Sequence, residues 1–334
     1  MIMNKLLLIA NYQSGIGGIN AQVDLLQYYL RKEGWLVNIF STKGHPFLRL
    51  YRMLKLICCA RHYNVLHIHA CSYWGMLPAV IGIIAGKLWK KRIIITYHGG
   101  EAAIFFATHE RFVKYWLGKA DQVIVLSVFL KDIFSQYNIL CEVIPNIVVL
   151  QPQVQRKIQI APRFVSIRHL EPLYDIPCIL KAYKRVQTYY PDATLDILGQ
   201  GSLREQLEEY VKKDSISGVR FIGQVSNQQI YEYLANADIM VSAAKTDNMP
   251  VSLLEAMNAG LLVIAGKVGG VPYMIEDGKT GLLFKSGDSA DLANKILWAL
   301  ANTEKTQAIV NNAQIEVKKY VWENIKEKLI KIYE

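Results

Sequence analysis

The sequence predicts an α/β protein built from two doubly wound, parallel-sheet domains in series. Three observations lead there. Short apolar runs alternate with longer stretches of helical period along the whole chain, as strands joined by crossover helices would. The pattern lapses once, near the middle, and then starts afresh. At 334 residues, the chain is also longer than one core comfortably serves and suits two.

In order, the first half offers the strands "KLLLIA", "WLVNIF", "NVLHIHA", "KRIIITYH", "DQVIVLS" and "CEVIP". Between the first two, "INAQVDLLQYYLRKEG" places apolar residues three and four apart and closes on glycine, which marks a helix. The opening "MIMNKLLLIANYQSG" has a short apolar run but no small-residue cleavage site, so it reads as a first strand rather than a leader. From Pro145 to Pro162 the pattern gives way to "PNIVVLQPQVQRKIQIAP", the expected linker. The second half then supplies "RFVSIR", "TLDILGQ", "VRFIGQ", "ADIMVSA" and "LLVIAG", and "VWENIKEKLIKIYE" reads as a closing helix. The expected boundaries are a first domain over 1–150, a second over 151–319 and the closing helix over 320–334.

Composition narrows the class. Hydrophobic residues make up 52% and charged residues 20%, which fits a folded globular protein and argues against disorder. The longest apolar run, Met76 to Gly86, is shorter than the ~18 residues of a membrane span. Five cysteines without metal or CxxC spacing fit a reduced, cytoplasmic setting. A net charge of +10 calls for an anionic partner. No nucleic-acid-binding motif is present, so nucleic acid is not expected. Basic residues instead gather beside aromatic and aliphatic ones within 49–62 and 87–92. In the first, Arg49, Arg52 and Lys55 take one helical side and Leu50, Met53, Leu54 and Ile57 the other, which is expected to pack on the sheet. In the second, "KLWKKR" sets Lys87, Trp89, Lys90, Lys91 and Arg92 together. Both suit the edge of an anionic bilayer.

In open parallel sheets, ligands bind beyond the carboxyl ends of the strands. Gly17 and Gly18, His98, Arg168, Gly199 and Gly201, and Asp247 all follow strands. In "TDNMPVSLLEAMNAG", Pro250 fits a first helical position and Gly260 the position past the helix end. The amides near Val251 and Ser252 then suit a diphosphate, since a helix start attracts anions. Asp247 and Glu255 would repel that diphosphate unless they serve hydroxyl-bearing groups on either side of it. Glu255 can accept hydrogen bonds from ribose hydroxyls. An ordinary amphipathic helix with a solvated glutamate explains Glu255 alone, but not the proline, the second acid and "KVGG" together. His67 and His69 alternate along a strand without a third ligand at suitable spacing, and read as structural. The "SGIGG" loop lacks the full dinucleotide fingerprint and its acidic partner, which disfavours a dehydrogenase.

The stretch from Thr246 to Gly270 resembles the signature of retaining GT-B glycosyltransferases of family four, the group 1 type. "SGIGGINAQV", "NVLHIHA", "ITYHGGE", "ADQVIVLS", "VIPN", "LDILGQGSLREQL" and the closing helix are similar to that family's motifs, in the family's order. The resemblance implies two Rossmann-like domains facing an interdomain cleft, with the closing helix returning to the first domain. It implies retaining transfer of a hexosyl or N-acetylhexosaminyl group from a nucleotide diphosphate sugar, foremost a UDP-sugar, with no metal and no other cofactor. Arg168 would neutralise the diphosphate and Glu255 would hold the ribose. Asp247, with Asn248 and Met249, would position the sugar, and His98 would contact it. Gly17 and Gly18 would let backbone approach the ligand, and Gly199 and Gly201 would belong to the donor site. The chain departs from the family at Asp247, where a glutamate is usual, at Leu173, where a lysine is usual, and at Ile147 and Tyr273. Lys245 or Lys267 would supply the missing charge. The acceptor would be a glycan or lipid-linked molecule used in polysaccharide biosynthesis, with the enzyme peripheral on the inner face of the membrane. The alternatives are a sugar-nucleotide epimerase or phosphorylase of the same fold, and a non-catalytic membrane-associated scaffold.

Overall fold

The computed structural model describes residues 5–15, 17–150 and 160–334, so residues 151–159 of the expected linker lie outside the described residues. The chain divides into two compact units, Met1–Ile147 with Trp322–Glu334, and Val148–Val321.

Among the described residues, the first unit carries β1 (Lys5–Ala10), β2 (Leu36–Ser41), β3 (Val65–Ala70), β4 (Arg92–Tyr97), β5 (Gln122–Val125) and β6 (Glu142–Val143). They form one sheet in the order β2-β1-β3-β4-β5-β6, parallel at every pairing. Because side chains alternate along a strand, the sheet has two apolar faces. Leu7, Ile9, Leu66, Ile68, Ile93 and Ile95 fill one core, and Leu6, Leu8, Val65, Ile94 and Ile124 the other. The helix Trp322–Tyr333 covers the second face with Trp322, Ile325, Leu329, Ile332 and Tyr333. Polar contacts fix it there. Trp322 stacks on Tyr29 at 5.0 Å between centroids, and its Nε1 donates to Glu33 at 3.1 Å. Arg92 Nε donates to the Ile332 carbonyl at 2.9 Å.

The second unit carries β7 (Arg163–Ile167), β8 (Thr194–Leu198), β9 (Val219–Gly223), β10 (Ile239–Ser242), β11 (Leu262–Gly266) and β12 (Leu282–Phe284). Their order is β12-β11-β10-β7-β8-β9, again parallel throughout. The sequence reading lacks β12. Its three residues are too few to show a period, and pairing with β11 is what makes them a strand.

The helix Pro46–Ala60 corrects an expectation. Met53 and Leu56 are buried, but Leu50 and Leu54 are 59% and 58% exposed and Phe47 89%. Leu56 and Ala60 pack in the core on the sheet, with the expected Ile57 against it, while Met53 is buried at three-residue spacing from Leu56. Leu50 and Leu54 lie off that buried side, as does exposed Tyr51. Two of the basic residues are also used locally. Arg49 Nη2 donates to the Trp74 carbonyl at 3.2 Å, and the Arg52 guanidinium donates to the Lys43 carbonyl. No described helix is long and apolar enough to cross a membrane.

Candidate functional site

In the second unit, β7 and β10 are adjacent, Ile239 pairing with Phe164 and Met240 with Val165. The residues that leave their carboxyl ends therefore emerge side by side. Arg168, just past β7, reaches across to β10, and its Nε donates to Ser242 Oγ at 3.2 Å. Its Nη2 lies 3.0 Å from Asp247 Oδ2, with both side chains largely buried. The guanidinium also sits 5.7 Å from the Tyr174 ring centroid. Arg168 is thus held from three sides, and its direction is set before any ligand arrives.

Asp247 uses both carboxylate oxygens. Oδ2 faces Arg168, and Oδ1 accepts from the Asn248 amide at 2.9 Å. Its main-chain carbonyl accepts from the Gly270 amide at 3.0 Å. A Cβ on Gly269 would lie 2.0 Å from that same carbonyl oxygen, and one on Gly270 2.0 Å from the Asn248 carbonyl oxygen. The Gly-Gly pair is required because two loops cross there backbone to backbone. The same device recurs beside Arg168. A Cβ on Gly199 would sit 2.0 Å from the Arg168 carbonyl oxygen, and one on Gly201 2.3 Å from that of Leu170. Gly199 and Gly201 therefore shape the site by holding the Arg168–Leu170 segment close.

The helix Val251–Asn258 starts beyond Asp247. Pro250 is its cap, with φ −67° and ψ 116°, rather than its first helical residue. The ring still fits, because a cap needs no amide hydrogen inside the helix. Ser252 is buried and its Oγ has no hydrogen-bond partner among the described residues. Asn248 and Met249 are buried in the loop before the helix. Glu255 is half-buried. Burial pushes its carboxyl up to about 8, while the Arg168 charge pulls the other way. Lys245 and Lys267 are exposed, and the Lys245 amide donates to the Leu173 carbonyl at 2.8 Å. The structure thus gathers Arg168, Asp247, Glu255 and the helix start, with the two lysines at the solvent side of neighbouring loops. Sequence reasoning missed Tyr174 and Ser242. Neither belongs to a motif that marks it in the sequence.

In the first unit, Gly17 has φ +87° and caps the helix Gly18–Lys32, a conformation that favours glycine. His98 follows β4 and continues the ladder, its amide donating to the Ala70 carbonyl at 2.8 Å. Its Nε2 is 2.8 Å from His69 Nδ1. His67 is satisfied on both nitrogens, by Thr96 Oγ1 at 2.7 Å and Tyr333 Oη at 2.8 Å. Burial lowers all three imidazoles, His67 to about 3 and His98 to about 4, with His69 well below its ordinary value. They are neutral at pH 7. Among the described residues, no three His, Cys, Asp or Glu side chains converge as metal ligands.

Residues 151–316 match the family of glycosyl transferases group 1, and residues 34–152 match glycosyltransferase family 4. An uncharacterized glycosyltransferase of Methanocaldococcus jannaschii is 24% identical, covering 100% of this chain and 99% of its own. The N-acetyl-alpha-D-glucosaminyl L-malate synthase of Bacillus anthracis is 24% identical over 89% of this chain and 81% of its own. Among solved structures, sucrose-phosphate synthase from Thermosynechococcus elongatus superposes with a TM-score of 0.82 at 20% identity, covering 99% of this chain and 98% of its own. Anabaena HepE in complex with UDP and glucose gives 0.79 at 20% identity, covering 98% of each chain.

Proposed function

We propose, from the premise that the chain belongs to the group 1, family 4 type of glycosyltransferases with the GT-B fold, that it transfers a sugar with retention from a nucleotide diphosphate sugar to a glycan or lipid-linked acceptor. A UDP-sugar is the favoured donor, since HepE, a structural relative, binds UDP and UDP-glucose. No metal is assigned a role. The observation that carries the reading is the pre-set Arg168, paired with Asp247 a few residues before the helix Val251–Asn258 that carries Glu255.

Each residue then has a physical task. Negative charge grows on the diphosphate as the glycosidic bond breaks, and Arg168 with the amides near Val251 and Ser252 stabilises it most at that point. The diphosphate oxygen left behind takes the acceptor hydroxyl proton on the same face of the sugar, which preserves the anomeric configuration. Glu255 holds the ribose hydroxyls, and Asp247 orients the donor sugar while it aligns Arg168. His98 contacts the sugar. Lys245 and Lys267 supply charge to the diphosphate in place of the residue at Leu173.

Asp247→Asn and Arg168→Ala together test this assignment. Removing the Asp247 charge leaves Arg168 freer for phosphate, so Asp247→Asn should bind nucleoside diphosphate at least as tightly as the parent while kcat falls. Arg168→Ala should lower kcat by more than it weakens donor binding, as expected of a contact that strengthens toward the transition state. Calorimetric titration with UDP and GDP, set beside initial rates, measures both. Equal losses of binding and turnover in Arg168→Ala would reduce it to a ground-state contact. Binding without transfer to any acceptor would favour a scaffold.

A further inference from the structure

His67 and His69 share one face of β3, and Ile94, Thr96 and His98 lie on the matching face of the β4 segment. The register pairs His67 with Ile94 and His69 with Thr96, so each histidine meets the residue two further along the neighbouring strand, within reach of a long side chain. That offset gives His67 to Thr96 and His69 to His98. The His69 and His98 ring planes lie 24° from parallel with centroids 5.1 Å apart, the separation of two imidazoles joined edge to edge by that bond. His69 is 5% exposed, and its Nε2 is buried with no hydrogen-bond partner among the described residues. His69 lines a cavity together with apolar side chains, among them Leu26, Ile124, Ile325 and Leu329. Two polar residues of its wall are engaged elsewhere. The Gln22 side chain makes reciprocal bonds with the Ile147 amide and carbonyl at 2.6 and 2.9 Å, and Thr96 is bonded to His67.

Two neutral imidazoles that share one hydrogen bond have linked tautomers. If His98 Nε2 carries the shared proton, His69 must carry its own on Nε2, a buried N–H with no partner among the described residues. If His69 Nδ1 carries it, the buried Nε2 presents only a lone pair. A buried unpaired N–H is the rarer and costlier orphan. We propose that His69 is a positioning residue that donates its Nδ1–H to His98 Nε2, and so fixes His98 as the Nδ1–H tautomer. His98 thereby offers a hydrogen-bond donor, not a lone pair, on Nδ1, and offers it without a positive charge. Free histidine prefers the opposite tautomer, so the arrangement is imposed by the fold. The chemical partner it suits is an oxygen acceptor, such as a sugar hydroxyl or ring oxygen. That consequence rests on the proposed contact of His98 with the donor sugar; the placement of the proton does not.

The test is a long-range proton–nitrogen correlation spectrum of the full chain with labelled histidine, at pH 7, with His98 identified by the signal lost in His98→Asn. The parent should show His98 protonated on Nδ1. His69→Leu, close in volume, should convert it to the Nε2–H form. His69→Asn, whose amide can donate from nearly the same point, should restore the Nδ1–H form. In parallel, kcat should fall roughly tenfold or more in His69→Leu at unchanged donor KM, and recover in His69→Asn. A parent protonated on His98 Nε2, or a His69→Leu spectrum with unchanged tautomer, overturns the proposal. If the tautomer shifts as expected while His98→Leu turns over like the parent, the sugar contact fails and the proton placement stands.

Discussion

The surroundings of Glu255 alter its chemistry. Its folded-state carboxyl titrates near 8, against about 4.3 when exposed. Between those values the unfolded chain binds fewer protons than the folded one at this position, so folding stability falls as pH rises through that window. The slope is at most about 1.4 kcal/mol per pH unit. Glu255→Gln should flatten the fall in urea midpoint between roughly pH 5 and 8, and an unchanged slope would mean that the carboxyl is solvated. Ribose hydroxyls donate to the ionised form, so nucleotide binding near pH 7 should release a proton in the parent and none in the variant. The positions of Glu255 on a helix and Arg168 past a strand end were legible in the sequence, because helix starts and strand ends mark themselves by proline, glycine and position. What faces Arg168 was not. Ser242 sits 74 residues further along the chain, and only sheet order brings it near. His69 read as structural for the same reason, since its bond to His98 depends on the register of two strands.

At the scale of elements, the glycines decide which loops can lie together. Gly199 has φ +144° and would put a Cβ 2.0 Å from the Arg168 carbonyl oxygen. Gly199→Ala should therefore cost roughly 2–4 kcal/mol, from left-side backbone strain and from pushing apart the segment that aims Arg168. Gly278, with φ +75° and nothing within 4 Å, supplies the comparison. Gly278→Ala should cost only the strain of its backbone, about 1–2 kcal/mol. Chemical denaturation of both variants separates the close approach from the dihedral, and equal losses would dismiss the crossing as the cause. Most strands were readable because central parallel strands are continuous apolar runs. The three-residue β12 was not, because its identity comes from its neighbour. The apolar stripe of the helix Pro46–Ala60 was misjudged because that helix is apolar on more than one side, and periodicity cannot choose which side meets the sheet.

For the molecule as a whole, exposed apolar groups at Phe47, Leu50, Tyr51, Leu54 and Trp74 accompany Leu88 and Trp89 beside Lys87, Lys90 and Lys91. We propose that they meet an anionic bilayer, the apolar groups entering the interface while lysines attract its charge at about 1 kcal/mol each. Since Arg49 and Arg52 hold backbone carbonyls, the informative substitutions are Phe47→Ser with Leu54→Ser, and Lys90→Gln with Lys91→Gln. Either pair should reduce co-sedimentation with vesicles containing phosphatidylglycerol at least several-fold, with UDP affinity unchanged. Indifference of the parent to such vesicles at low salt would point to a soluble acceptor instead. The helix Trp322–Tyr333 carries a different consequence. It covers a face of the first sheet whose other parts end at Ile147, so roughly 175 residues are translated between the two. At about 5–20 residues per second, the ribosome takes on the order of 10–35 seconds to deliver it. Through that interval Leu6, Leu8, Ile94 and Ile124 lack their lid in the nascent chain. Until it arrives, that face is open apolar surface of the kind that aggregates and that chaperones hold.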